Sequence, residues 1–163
     1  CGGARGPCPG RPRTRSVSGE REYPDRPWVG IGVVALRGDD VLMVKRGRPP
    51  RQGDWSIPGG AQNLGETAEQ AARRELREEA GIEVGPLALA VVVDAVNRDT
   101  AGRIRFHYTI IDFAGEWLSG EPVAGDDVDD ARWFTPAELA ALPLWSEAKR
   151  AIAEARRRLR AAP

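Results

Sequence analysis

The sequence predicts an α/β fold, a mixed β-sheet sandwiched between helices (α/β/α). Two observations carry this. Short runs rich in β-branched and apolar residues, bounded by turn signals, recur at 29–36, 41–45, 87–96 and 104–113. Helical patterns then break into that series, one after a glycine-rich stretch at 58–65 and two more at the C-terminal end.

At 163 residues the chain suits one domain with its own core. Residues 1–26 are rich in Gly, Pro and Arg with little to bury, which predicts a disordered tail ahead of a folded domain at 27–161. A first residue of Cys rather than Met is expected of a trimmed, truncated or upstream-extended product. The 24 basic residues balance 24 acidic ones, so no global field argues for nucleic acid or membrane as a partner, and no apolar run is long enough to span a bilayer. Both cysteines, Cys1 and Cys8, lie in the tail and build neither a disulfide framework nor a metal site, so the expected compartment is the cytoplasm.

Taken in order, 29–36 and 41–45 flank Gly38-Asp39-Asp40 and predict a hairpin. Trp28 at its entrance is a candidate for stacking on a substrate ring, against the plainer reading of a core or edge aromatic. The segment 45–54 combines turn residues with cations and predicts an exposed basic loop; Arg46 is the residue in it best suited to a phosphate. A short strand at 55–57 leads into Pro58-Gly59-Gly60, where missing side chains let backbone N–H groups approach a ligand. Thr67 with Gln70 three residues on is a capping box, and Gly81 fits the position just past a helix end. Between them Ala68, Ala72, Leu76 and Ala80 form a small apolar stripe.

The same helix carries Glu75, Glu78 and Glu79. Residues three and four apart share a face, so three carboxylates fall within about one turn and repel one another. A hard divalent cation relieves that repulsion, and Mg²⁺ takes oxygen ligands while keeping waters and phosphate oxygens in its shell. The competing reading is a solvated surface helix in which Arg73, Arg74 and Arg77 pair with Glu69 and Glu78; such a helix requires neither the glycine-rich entry nor Glu66 just before the cap.

Downstream, 87–96 is nearly continuous Val, Ala and Leu, as in a strand buried on both faces. In 104–113, alternation sets Phe106, Tyr108, Ile110 and Asp112 against His107, Thr109, Ile111 and Phe113. His107, the lone histidine, reads as a packed residue rather than a base. Residues 115–130 form an acidic, glycine-rich loop, followed by a short Arg132-Trp133-Phe134 strand. Thr135-Pro136-Ala137-Glu138 starts a short helix. A last amphipathic helix runs from Ser146 to about Leu159, with Ala148, Ile152, Ala155 and Leu159 facing inward.

Gly60, five residues, Glu66, seven residues, then Arg74-Glu75-Leu76-x-Glu78-Glu79-x-Gly81-Ile82 matches every fixed position of the Nudix hydrolase signature. The chain resembles that family from about Trp28 to Ala161, with one departure: many members carry Glu where this chain has Asn63. The resemblance implies the Nudix α/β/α sandwich and a divalent metal, Mg²⁺ or Mn²⁺, held by Glu75, Glu78 and Glu79 with Gly59. It implies hydrolysis of a diphosphate bond in a small nucleotide substrate, with Arg74 supporting a glutamate and Gly59 and Gly60 setting phosphate geometry. By position relative to the Arg-Trp strand it implies a catalytic role for Asp127, with Asp126 second, as the acid that joins the metal cluster or acts as base. The chain looks most like the compact bacterial ADP-ribose pyrophosphatase-type members, which yield AMP and ribose 5-phosphate. The alternatives are a MutT-like nucleoside triphosphate pyrophosphatase and a non-catalytic nucleotide sensor. Related enzymes often dimerise; Trp117 and Trp145 are candidates for such a homodimer interface if exposed, although a buried aromatic is the expectation for both.

Overall fold

The structure is a computed structural model that describes residues 21–48 and 51–161. Strands β1 (Trp28–Arg37) and β2 (Asp40–Arg46) form the predicted hairpin, closed by a two-residue turn in which Gly38 takes φ 63°. The two strands pair only beside the turn, through Leu36 with Val41 and Arg37 with Asp40. Beyond it they splay, and β3 (Trp55–Ser56) and β4 (Gly59–Ala61) fill the split, β3 on β2 and β4 on β1. The glycine-rich stretch expected as a loop is therefore partly strand, because the split offers it unpaired backbone groups. Val33 N–H donates to Pro58 O at 2.9 Å and Arg46 N–H to Asp54 O at 2.9 Å, completing the wedge.

Helix α1 (Ala68–Ala80) follows, with the Thr67–Gln70 capping box formed and Gly81 left-handed at φ 65°. After β5 (Glu83–Val84), β6 (Ala88–Arg98) and β7 (Ile104–Ser119) form a long antiparallel pair, and β7 runs parallel to β1 from Trp28↔Tyr108 to Leu36↔Glu116. One parallel pairing among antiparallel ones makes the sheet mixed, as expected. β8 (Val128–Phe134) pairs with β2, and α2 (Pro136–Ala141) and α3 (Ser146–Arg160) end the domain.

Three expectations are corrected. β7 continues to Ser119, so the acidic loop is shorter than 115–130, and Asp129 and Asp130 lie in β8. β6 is not buried on both faces: Leu89, Val92 and Val96 are about half exposed, because among the described residues β6 pairs only with β7 and packs mainly against α3. Trp117 and Trp145 are partly exposed rather than buried. The N-terminal tail up to residue 20 lies outside the described residues; within 21–26, Tyr23 N–H donates to Arg105 O at 2.8 Å and Glu22 pairs with Arg105.

The core lies on both faces of the sheet, with the alternation of β1 deciding which residue goes where. Ile31, Val33 and Ala35 pack with Ala72, Leu76 and Ala80 of α1; Val34 and Leu36 pack with Ala151, Ile152 and Ala155 of α3. No helix among the described residues is long and apolar enough to cross a membrane.

Candidate active site

Helix α1 crosses above the split in the sheet, and Arg74 organises its acidic face. The guanidinium donates to both oxygens of Glu66, from Nε at 2.6 Å and Nη2 at 3.0 Å, a forked pairing that holds the Glu66 carboxyl down at about 2. Nη1 reaches Glu75 Oε1 at 2.8 Å and Glu78 Oε2 at 3.1 Å, and Nη2 also reaches Ala61 O at 3.1 Å. One cation thus ties the turn before the helix, two acids on it and strand β4 together. Glu66 itself is set by Asn63 N–H, which donates to Oε2 at 3.0 Å.

The three helix carboxylates occupy different surroundings. Glu78 is mostly exposed, whereas the Glu75 side chain is only 13% exposed. Glu75 lies against Gly60, where an added Cβ would collide with its carboxylate. Glu79 reaches Gly59, whose N–H donates to Oε2 at 2.8 Å. At Gly59 an added Cβ would strike the Ile31 carbonyl, so glycine is required for β4 to sit in the split at all. Burial pushes the Glu79 carboxyl up to about 7; the Gly59 N–H and Arg46 oppose the shift, and the charges of Glu75 and Asp127 reinforce it. Negative charge is therefore concentrated where water is scarce, and a hard cation favours that condition.

The loop after β7 closes the far side. Two carbonyls at the end of α1 lack helical partners and are taken by this loop: Gly125 N–H donates to Glu79 O and Val123 N–H to Ala80 O, both at 3.1 Å. Asp127 then sits beside the end of β2, where Gly47 N–H donates to its carbonyl at 3.3 Å and Arg48 Nη2 meets its Oδ1 at 2.6 Å. A bulge between Lys45 and Arg46, opposite Asp130 and Val128, lets the strands bend there.

The structure thus brings together Glu75, Glu78, Glu79, Arg74, Gly59 and Gly60, with Arg46 and Asp127 near enough to act on Glu79. It does not bring Trp28 to them. By the alternation of β1, Trp28 falls on the face of Gly32 and Val34, opposite Ile31 and α1, with Arg21 over its ring at 5.6 Å. His107 pairs opposite Val96, several rungs along β7 from the residue level with Gly59. Arg48 escaped the sequence reading because nothing in one basic loop marks which cation meets an acid some 80 residues later.

Among the described residues no three His, Cys, Asp or Glu side chains already converge as a metal cage, since Arg74 draws the oxygens of Glu75 and Glu78. The donor set still fits a hard divalent ion: all its donors are oxygens, carried on one helix face, with room on the Glu78 side for water and phosphate.

The NUDIX domain model matches residues 26–155. The chain belongs to the Nudix family. Among Nudix relatives, the ADP-ribose pyrophosphatase of Methanocaldococcus jannaschii is 33% identical over 108 residues, covering 66% of this chain and 62% of that protein. The putative 8-oxo-dGTP diphosphatase 2 of Mycobacterium tuberculosis is 41% identical over 105 residues, covering 64% of this chain and 70% of the relative. In fold, the MutT NUDIX hydrolase from Burkholderia pseudomallei superposes with a TM-score of 0.69 at 31% identity, covering 80% of this chain and 98% of that one. This Nudix chain therefore spans less than two thirds of the archaeal relative's length. Use of a divalent metal is general to the family.

Proposed function

We propose that the chain is a pyrophosphohydrolase that cleaves the diphosphate linkage of a nucleoside diphosphate derivative in the cytoplasm, with ADP-ribose as the first candidate and AMP and ribose 5-phosphate as products. The observation that carries this reading is the crowding of Glu75 and Glu79 against Gly59 and Gly60, with Arg46 and Arg48 at the rim. The likeness to an ADP-ribose pyrophosphatase supports the substrate.

In this reading Glu75, Glu78 and Glu79 hold a divalent cation, Mg²⁺ or Mn²⁺, which when bound neutralises phosphate oxygens and makes a water more acidic for attack at phosphorus. Arg74 fixes the rotamers of Glu75 and Glu78, and Glu66 fixes Arg74, so the acids are placed before substrate arrives. Gly59 N–H holds one oxygen of Glu79 and leaves the other to the cleft. Arg46 supplies positive charge beside Glu79, where phosphate oxygens gather.

A second reading keeps this chemistry and changes the substrate. The relative named for 8-oxo-dGTP is the more identical of the two over its aligned stretch, which favours a nucleoside triphosphate. Product release from ADP-ribose, other nucleotide sugars, dinucleotide polyphosphates and nucleoside triphosphates, each with Mg²⁺, decides between them. AMP from ADP-ribose supports the first reading and preference for triphosphates the second; binding of ADP-ribose without turnover of any substrate would make the chain a sensor. Glu78→Gln and Glu79→Gln should each lower kcat by about a hundredfold or more while the circular dichroism spectrum is kept. Full activity in both variants would remove the carboxylate assignment.

A further inference from the structure

The contact between the basic loop and the acidic loop has an unusual balance of fixed and loose parts. The backbones are fixed. Asp127 follows a loop bonded to the end of α1 through Val123 and Gly125, and its carbonyl accepts from Gly47. Gly47 has to be small, since an added Cβ would lie 2.9 Å from Asp129 Oδ1 and 3.0 Å from Asp127 O. The side-chain contact is loose. Arg48 Nη2 and Asp127 Oδ1 lie 2.6 Å apart, and the two side chains are 69% and 62% exposed. An exposed ion pair of this kind adds little to stability and costs little to separate.

Two further facts bear on its position. Asp127 comes two residues after Gly125, whose N–H donates to the Glu79 carbonyl at 3.1 Å, so the pair stands near the end of the acidic helix that carries the carboxylate cleft. The Arg48 guanidinium is a fork that can grip two oxygens of a phosphate, which carries more negative charge than one carboxylate. A diphosphate arriving over Glu79 offers that better partner and at the same time repels the Asp127 carboxylate.

Resting on the reading of this cleft as a diphosphate site, we propose that the Arg48–Asp127 ion pair is a clasp opened by substrate: the phosphate takes Arg48, and Asp127 is the internal competitor that is displaced. Arg48 is then a substrate-binding residue, and Asp127 sets how tightly the empty protein holds it back. Specificity follows as well, since a ligand must carry enough phosphate charge at the rim to win the exchange.

The test is calorimetric binding of α,β-methylene-ADP, a diphosphate that resists hydrolysis, to the full chain with Mg²⁺ and to Arg48→Ala, Asp127→Asn and the double variant, each first shown to melt like the parent. Arg48→Ala should weaken binding about fivefold or more, and Asp127→Asn should tighten it about threefold, because the competitor is gone. In the Arg48→Ala background, Asp127→Asn should change nothing beyond about twofold, since there is no guanidinium left to compete for. If Asp127→Asn tightens binding equally in both backgrounds, Asp127 acts by plain repulsion and the clasp is wrong. If the parent binds and all variants match it, the clasp fails while the diphosphate reading stands; if the parent does not bind the diphosphate at all, both fall together.

Discussion

Arg74 and Asp112 show how differently single charges are treated in this domain. Arg74 is surrounded by acceptors on three sides, so its charge is held more firmly than in water and it serves as a joint between Glu66, Glu75 and Glu78. Asp112 is the one buried charged residue among those described, 4% exposed, and its Oδ1 has no hydrogen-bond partner. It presses on Gly32, where a Cβ would have no room, and faces Arg150 and Glu147 of α3. Burial raises its carboxyl from the ordinary 3.8 to about 6, with Arg150 opposing and Glu147 adding to the shift. Because the folded value lies above the unfolded one, Asp112 favours folding fully below about pH 4, and that contribution is lost as the pH rises to about 6. Asp112→Asn should therefore gain up to about 3 kcal/mol relative to the parent between pH 4 and pH 7, read by urea unfolding at both. A variant-to-parent difference that does not move with pH would show that Asp112 is not titrating in this range.

At the scale of elements, the site is the meeting of α1 with β4, and each is secured by local chemistry. The Thr67–Gln70 box satisfies donors at the start of α1, worth about 1 kcal/mol. At the other end Gly81 takes a left-handed turn and the loop at 123–125 takes the last carbonyls. Most of this was legible from residue types, because caps depend on neighbours in sequence. The glycines of β4 were legible as glycines but not in role: they are needed because β4 fills a split between β1 and β2 that no local pattern shows. Gly60→Ala makes the distinction measurable. The added methyl falls on the end of the Glu75 side chain, which can swing away, so the melting temperature should stay close to the parent's while kcat/KM drops about tenfold or more. An unchanged kcat/KM would mean that the position of Glu75 does not matter.

Across the whole molecule, one sheet separates two packing layers with different duties. Leu76 anchors α1, which carries the acids, and Ile152 anchors α3, on the face away from them. Leu76→Ala and Ile152→Ala should each cost about 2–5 kcal/mol on unfolding. Assayed well below either melting point, Leu76→Ala should also lower kcat, whereas Ile152→Ala should leave it within about twofold. Equal loss in both variants would indicate that the layers are coupled more tightly than their separate clusters suggest.

The sequence by itself determined the α/β class, the hairpin, the capped acidic helix, the acids on it and the family, because each depends on spacing within about thirty residues or on side-chain period. It also ranked Asp127 ahead of Asp126 through the family likeness; in the fold Gly47 N–H donates to the Asp127 carbonyl and Arg48 meets its carboxylate. Only the tertiary structure decided which face Trp28 occupies, that β6 leaves apolar side chains in solvent, and that Arg48 meets Asp127. Those outcomes depend on the order of strands in the sheet and on which helix packs against the long β6–β7 pair. Strand order is set by the combined burial of both layers, a property of the whole chain that no local stretch encodes.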